Sequence, residues 1–115
     1  MAFKKEASDK ETIMGDALSV AGLVNYQDGS IVSREIINKK TGTVTLFAFD
    51  EGEGLSEHSA PFDALAIIAE GQAEITIDGK PHKLKAGELM IMPADHPHSV
   101  KAIKKFKMLL IMIRS

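Results

Sequence analysis

Gly52-Glu53-Gly54-Leu55-Ser56-Glu57-His58 runs on through Ala60 and Ala64 to Gly71, and a second stretch runs from Gly87 through Pro93 to His98. Between them lies the clearest local signal in the chain, Ala73-Glu74-Ile75-Thr76-Ile77, then Asp78-Gly79, then Lys80 to Leu84. Asp-Gly supplies the positive φ angles of a tight primed turn, so this segment predicts a β-hairpin. Downstream, Lys85-Ala86-Gly87 turns into Glu88 to Met92, which Pro93 ends by removing a ladder donor. His98 to Ile103 and Phe106 to Ile113 complete the set. Upstream, Ile31 to Ile37 reads as a strand with its turn at Asn38 to Gly42. Thr43 to Phe49 reads as a strand apolar on both faces, Asp50 to Pro61 as a glycine-bearing loop, and Ala64 to Ala69 as an apolar run. Short strands at intervals of roughly ten residues, with no long helical period between them, predict an antiparallel barrel or sandwich.

The glycine, histidine and proline spacing resembles the two motifs of the cupin superfamily. There the first motif runs from glycine through two histidines and a glutamate to a closing glycine. The second runs through proline and a turn glycine to a histidine and an asparagine. Gly52, His58 and Gly71 stand in register with the first, and Gly87, Pro93 and His98 with the second. Ala60 stands at the second histidine position, Ala64 at the glutamate, Asp95 at the turn glycine and Ala102 at the asparagine. The resemblance spans about Gly52 to Ala102 and implies an all-β fold, an antiparallel double-stranded β-helix or jelly-roll barrel of the compact, single-domain, cupin 2-like type. It also implies a metal on three histidines and a glutamate, of which two histidines are present.

His58 and His98 are therefore expected to face each other inside the barrel. Transition-metal sites use three or four protein ligands, so a divalent Zn, Fe, Mn or Ni on these two needs a third. Asp63 and His96 are the candidates. If Ala64, Ala66 and Ile68 face inward, strict alternation sends Asp63 outward unless the strand begins after it, and Glu57 meets the same objection beside His58. His96 shares a parity with His98, with Pro97 between them. His82 reads as surface. Ala60 and Ala64, beside Ala66, leave room at the centre, where Met90, Met92, Met108 and Met112 offer adaptable apolar walls or simply fill the core.

Three functions follow. The first is a small-molecule-binding barrel without obligatory metal, centred on His58 and His98 and walled by Ala60, Ala64, Met90 and Met92. The second is a metal-dependent oxygenase or isomerase, with a metal-free acid–base enzyme as its variant. The third is a structural or partner-binding dimer. Ser56, Ser59 and Ser99 sit in no nucleophile-elbow pattern, and Gly52-Glu53-Gly54 precedes an extended loop in place of the helix a phosphate cradle needs.

The chain's 115 residues suit one domain, expected as a barrel over residues 25–115 behind an N-terminal arm over residues 1–24. Met1 to about Lys10 reads as a mobile or loosely attached arm, and Asp16 to Val24 as a short helical turn leading into an extended segment. With 44% hydrophobic and 26% charged residues the composition is that of a globular chain. A net charge of -2 gives no basic footprint for nucleic acid or acidic membranes, and Lys101, Lys104, Lys105 and Lys107 read as a solvated strand surface. The absence of cysteine excludes disulfides, thiolate zinc and cysteine nucleophiles. Without an apolar run of the ~18 residues that a membrane span needs, and without a signal-peptide core, a cytoplasmic location is expected. The last strand, Phe106 to Ile113, is apolar on both faces after Lys107. One face fills the barrel and the other requires a cover, either the N-terminal segment or a second subunit, so a homodimer is expected.

Overall fold

The computed structural model describes residues 4–5 and 14–114. Among the described residues ten strands follow in order: β1 (Lys4–Lys5), β2 (Ile31–Lys39), β3 (Gly42–Phe49), β4 (Gly54–His58), β5 (Ala64–Glu70), β6 (Gln72–Ile77), β7 (Lys80–Lys85), β8 (Leu89–Met92), β9 (His98–Ala102) and β10 (Phe106–Ile113). They form two sheets, a larger one in the order β1-β2-β3-β10-β5-β8 and a smaller one in the order β4-β9-β6-β7. This is the expected jelly-roll barrel. The β6–β7 hairpin turns at Asp78 and Gly79 with φ of 51° and 79°, the left-handed backbone that Asp-Gly was read to supply.

One expected loop contains a strand. Gly54–His58, placed within the Asp50–Pro61 loop from sequence, pairs with β9 as the edge of the smaller sheet. Edge strands carry polar residues on their open side, so Ser56, Glu57 and His58 conceal the strand from a hydrophobic pattern. The expected arm is described in part. Lys4–Lys5 pairs in parallel with Val32 and Ser33 of β2, and the remainder up to Lys10 lies outside the described residues. The helical turn forms at Ala21–Leu23, centred on Gly22.

The barrel interior is filled by Ile31, Phe47, Phe49, Ala64, Ala66, Ile68, Ala73, Ile75, Leu84, Met92, Val100, Ala102, Phe106 and Met108. Phe49 and Phe106 stack at 4.5 Å between ring centroids and close the end away from the histidines. Gly71, with φ of 81°, joins β5 to β6 where a Cβ would collide with the backbone of Lys105 and Phe106, so only glycine fits this crossing.

The both-faced character of β10 has a physical cause. Met108 faces the interior, while Leu109 packs on a second cluster outside the barrel, formed by Val24, Val32, Leu46 and Ala48 with Leu23 and Tyr26. The N-terminal segment is thus the cover over this part of the sheet. It is pinned by polar anchors: Tyr26 Oη donates to Glu70 Oε2 at 2.6 Å, Arg34 Nη1 to the Leu23 carbonyl at 2.9 Å, and Lys107 Nζ to the Ala21 carbonyl. Lys107 is consequently buried under the segment and not part of a solvated lysine surface. Further along the same outer face, Leu89 and Ile91 remain 59% and 58% exposed.

Candidate functional site

The β4–β9 ladder sets His58 directly opposite His98, with ring centroids 4.4 Å apart and planes at 69°. A bulge in β4 decides this pairing. Leu55 pairs with Val100, so an unbroken antiparallel register would put Glu57 against His98. The shift between Leu55 and His58 inserts one extra residue and turns the imidazole in instead. His98, Val100 and Ala102 are the buried, inward positions of β9, and His98 is 6% exposed. His58 lies at the exposed end of the edge strand.

Each ring is held by its own backbone. His58 Nδ1 lies 2.8 Å from the Ser56 carbonyl and His98 Nδ1 lies 3.1 Å from the His96 carbonyl. A carbonyl only accepts, so both Nδ1 atoms carry the proton. In the neutral rings Nε2 then offers a lone pair, with no protein hydrogen-bond partner on either Nε2 among the described residues. Burial pushes the His98 imidazole below its ordinary value of 6.5. The bond to the His96 carbonyl opposes that shift and the neighbouring His58 reinforces it. Neutral His98 is thus the dominant form near pH 7.

The Pro93–Pro97 loop holds His98 from several sides. Asp95 N donates to the Ala60 carbonyl at 2.7 Å, Ala94 N to Asp63 Oδ1 at 2.9 Å, and Asp78 N to the Pro97 carbonyl at 3.0 Å. His96 Nδ1 sits 2.7 Å from Asp78 Oδ2. Asp95 has φ of 64°, so the position where the resembling family carries glycine keeps the left-handed backbone, which aspartate tolerates better than most residues.

These contacts correct the expected third ligand. Asp63 spends a carboxylate oxygen on the Ala94 amide, and the His96 ring is turned onto Asp78. Among the described residues no three His, Cys, Asp or Glu side chains converge on a point that could hold a metal ion. The two imidazoles alone do not fit the three- or four-donor centre that the resemblance implies.

The expected walls are placed as follows. Ala64 and Ala66 face inward and are buried, which bears out the alternation read along β5. Cross-strand pairing sets Met92, Ala64, Met112 and Thr43 in one row, and Met90, Ala66, Leu110 and Thr45 in the next. Met92 and Met108 belong to the core, with Met90 and Met112 packed against it. Ala60 lies in the β4–β5 loop, and its contribution there is the carbonyl that anchors Asp95. His82 is exposed, in agreement with its surface reading. It pairs with buried Ile75 and shares parity with buried Leu84, and it is exposed because β7 is the edge of its sheet.

Thr43 was missed. Its residue is 7% exposed, and its Oγ1 is buried without a hydrogen-bond partner among the described residues. The signal was available in the alternation of Thr43, Thr45, Phe47 and Phe49, which places two hydroxyls on the inward face of β3.

Fold and site together define a small double-sheet barrel with a histidine pair at one end. The chain belongs to the Cupin_2 family, the Cupin domain, which matches residues 45–114. It is similar to a conserved protein of unknown function from Streptococcus pyogenes at 29% identity and a TM-score of 0.85, covering 100% of this chain and 96% of that one. A Cupin 2 conserved barrel domain protein from Leptotrichia buccalis is 41% identical with a TM-score of 0.79, over 82% of this chain and 46% of the other. The HTH-type transcriptional activator RhaS of Mannheimia succiniciproducens is 27% identical over 85 residues, 74% of this chain and 32% of the activator. The chain therefore spans about a third of the length of that curated relative.

Proposed function

We propose that this barrel binds a small molecule at the His58–His98 pair without obligatory tightly bound metal. One observation carries the reading: two adjacent imidazoles, each fixed through Nδ1 by its own backbone, leave Nε2 lone pairs without protein partners among the described residues. Such groups orient a ligand by hydrogen bonds while apolar walls supply contact area, and here Ala64, Met92 and Met112 stand in one inward row. The likeness to part of a transcriptional activator supports binding over turnover, because that relative is named for regulation. Cupin barrels host several activities, so family membership alone does not choose among them.

The test is a metabolite screen by ligand-observed NMR on the tag-free parent, His58→Ala and His98→Ala. Ligands retained by the parent and lost by both variants support the site. Ligands bound equally by all three proteins move the function elsewhere. Metal analysis of the same tag-free parent addresses the alternative oxygenase or isomerase. Near-stoichiometric Zn, Fe, Mn or Ni, with an activity that the metal restores after chelation, would overturn the metal-free reading.

We further propose that the chain is a homodimer. Two cross-strand rows on the outer face of the larger sheet, Val44-Ile111-Leu65-Ile91 and Leu46-Leu109-Ile67-Leu89, contain no charged residue, and the described N-terminal segment packs on Leu46 and Leu109 of the second. At the β8 end of these rows Leu89 and Ile91 are 59% and 58% exposed. A second copy presents the same apolar residues around β8 and meets them by a two-fold contact.

A further inference from the structure

Thr43 Oγ1 is a buried hydroxyl without a partner among the described residues, which is uncommon because an unsatisfied polar atom forfeits its hydration without recovering a bond. The other such atom among the described residues, Arg34 Nε, belongs to the side chain that anchors the N-terminal turn through the Leu23 carbonyl, away from the histidines. Thr43 instead faces the barrel interior. It is paired with Met112, which pairs with Ala64, which pairs with Met92.

That row lies at the histidine end. β5 begins at Ala64 just after the loop that leaves His58, and β8 stops at Met92 just before the loop that enters His98. Hydrogen bonds tie the segments there together: Arg114 N to the Thr41 carbonyl at 2.7 Å, Ala94 N to Asp63 Oδ1 at 2.9 Å and Asp95 N to the Ala60 carbonyl at 2.7 Å. One end of the barrel thus combines two imidazole acceptors from the smaller sheet, one unpaired hydroxyl from the larger sheet, and alanine and methionine between them.

The donor and acceptor inventory narrows what fits. Nε2 lone pairs require hydrogen-bond donors, which a hydroxyl or amide N–H supplies and an ionised carboxylate does not. Thr43 Oγ1 accepts or donates. Lys80 ends the inward row His58-His98-Ile77-Lys80 at the exposed edge strand β7, separated from the pair by Ile77. We propose, resting on the histidine-pair reading above, that Thr43 is the third polar contact of this site and that its ligand is a neutral small molecule carrying at least two hydroxyl or amide donors. Met112, unbranched and flexible, is the side chain that gives way to expose the hydroxyl.

Isothermal titration and NMR with the full chain would use erythritol and glycerol as neutral hydroxyl probes, malonamide as an amide probe, and succinate as the anionic control. Parent protein binds at least one neutral probe with shifts at the His58, His98 and Thr43 side chains, and binds succinate more weakly. Thr43→Val lowers that affinity about tenfold, while Thr43→Ser keeps it within about threefold, factors that correspond to one hydrogen bond lost or retained. Without ligand, Thr43→Val melts no lower than the parent, which separates lost contact from lost fold.

Unchanged affinity in Thr43→Val overturns the role of Thr43 and leaves the histidine pair standing. Binding of succinate in preference to every neutral probe overturns the ligand class. Equal binding of a neutral probe by parent, His58→Ala and His98→Ala overturns the underlying reading, as does no binding of any probe combined with an empty metabolite screen.

Discussion

At the scale of single residues, His98 makes a pH-dependent contribution whose sign follows from its surroundings. Burial holds its folded-state value below the ordinary 6.5, so the unfolded chain takes up the proton more readily. Stability is then full above about pH 6.5, falls as pH drops through that value, and levels once the pH is below the folded-state value of His98. Urea unfolding of parent and His98→Gln across pH 5 to 8 should show this slope in the parent and a reduced one in the variant; parallel profiles would mean that His98 titrates freely. Much of this residue was readable from sequence, since His98 kept its place in the second motif. The orientation of its ring was not, because that depends on the carbonyl of His96, a backbone group with no sequence signature. Thr43 was overlooked for a different reason: a threonine in an apolar strand is common, and its lack of a partner emerges only when the rows of β3, β10, β5 and β8 are assembled.

Among the elements, β10 was read correctly as needing partners on both faces, and β5 as presenting Ala64, Ala66 and Ile68 inward. β4 was the failure. Its open side is polar, so Gly54 to His58 scanned as loop, and its bulge is invisible to any argument from parity. That same bulge leaves the objection to Glu57 standing, because it is an irregularity that puts His58, and not Glu57, against His98. β10 also offers the clearest energetic test. Phe106 is fully buried and stacked on Phe49 at 4.5 Å, at the end of the barrel opposite the histidines. Phe106→Ala should cost about 3–5 kcal/mol in chemical denaturation, the range for large aromatic truncations that leave a cavity. A loss below about 1 kcal/mol would show that the neighbouring strands collapse onto the gap. Val24→Ala, under the N-terminal segment, should loosen that cover while leaving the histidine rings in contact, as ring-proton NMR would reveal.

For the whole molecule, sequence gave the jelly roll and its histidine end through glycine and proline spacing, while the division of the outer sheet face between cover and open surface needed the assembled strands. Leu89 and Ile91 on the short edge strand β8 are 59% and 58% exposed, and Ile113 at the end of β10 is 61% exposed. Light scattering coupled to size exclusion should give twice the 12.5 kDa chain mass for the parent and a single chain mass for Ile91→Lys combined with Leu89→Lys. A monomeric parent would sink the proposed dimer, and a dimeric variant would move the contact to another face.

The carbonyls of Ser56 and His96 carry one more implication. Each fixes the ring two residues later along the chain, so both imidazoles are oriented by backbone already ordered in the fold. A ligand reaching both rings freezes little additional side-chain motion, and the entropy that usually erodes affinity on closing a polar site was surrendered when the chain folded. Such a site is preorganised: selectivity should arise from how well a molecule's donors match two stationary lone pairs, and binding should leave the strand positions around the histidines nearly unchanged.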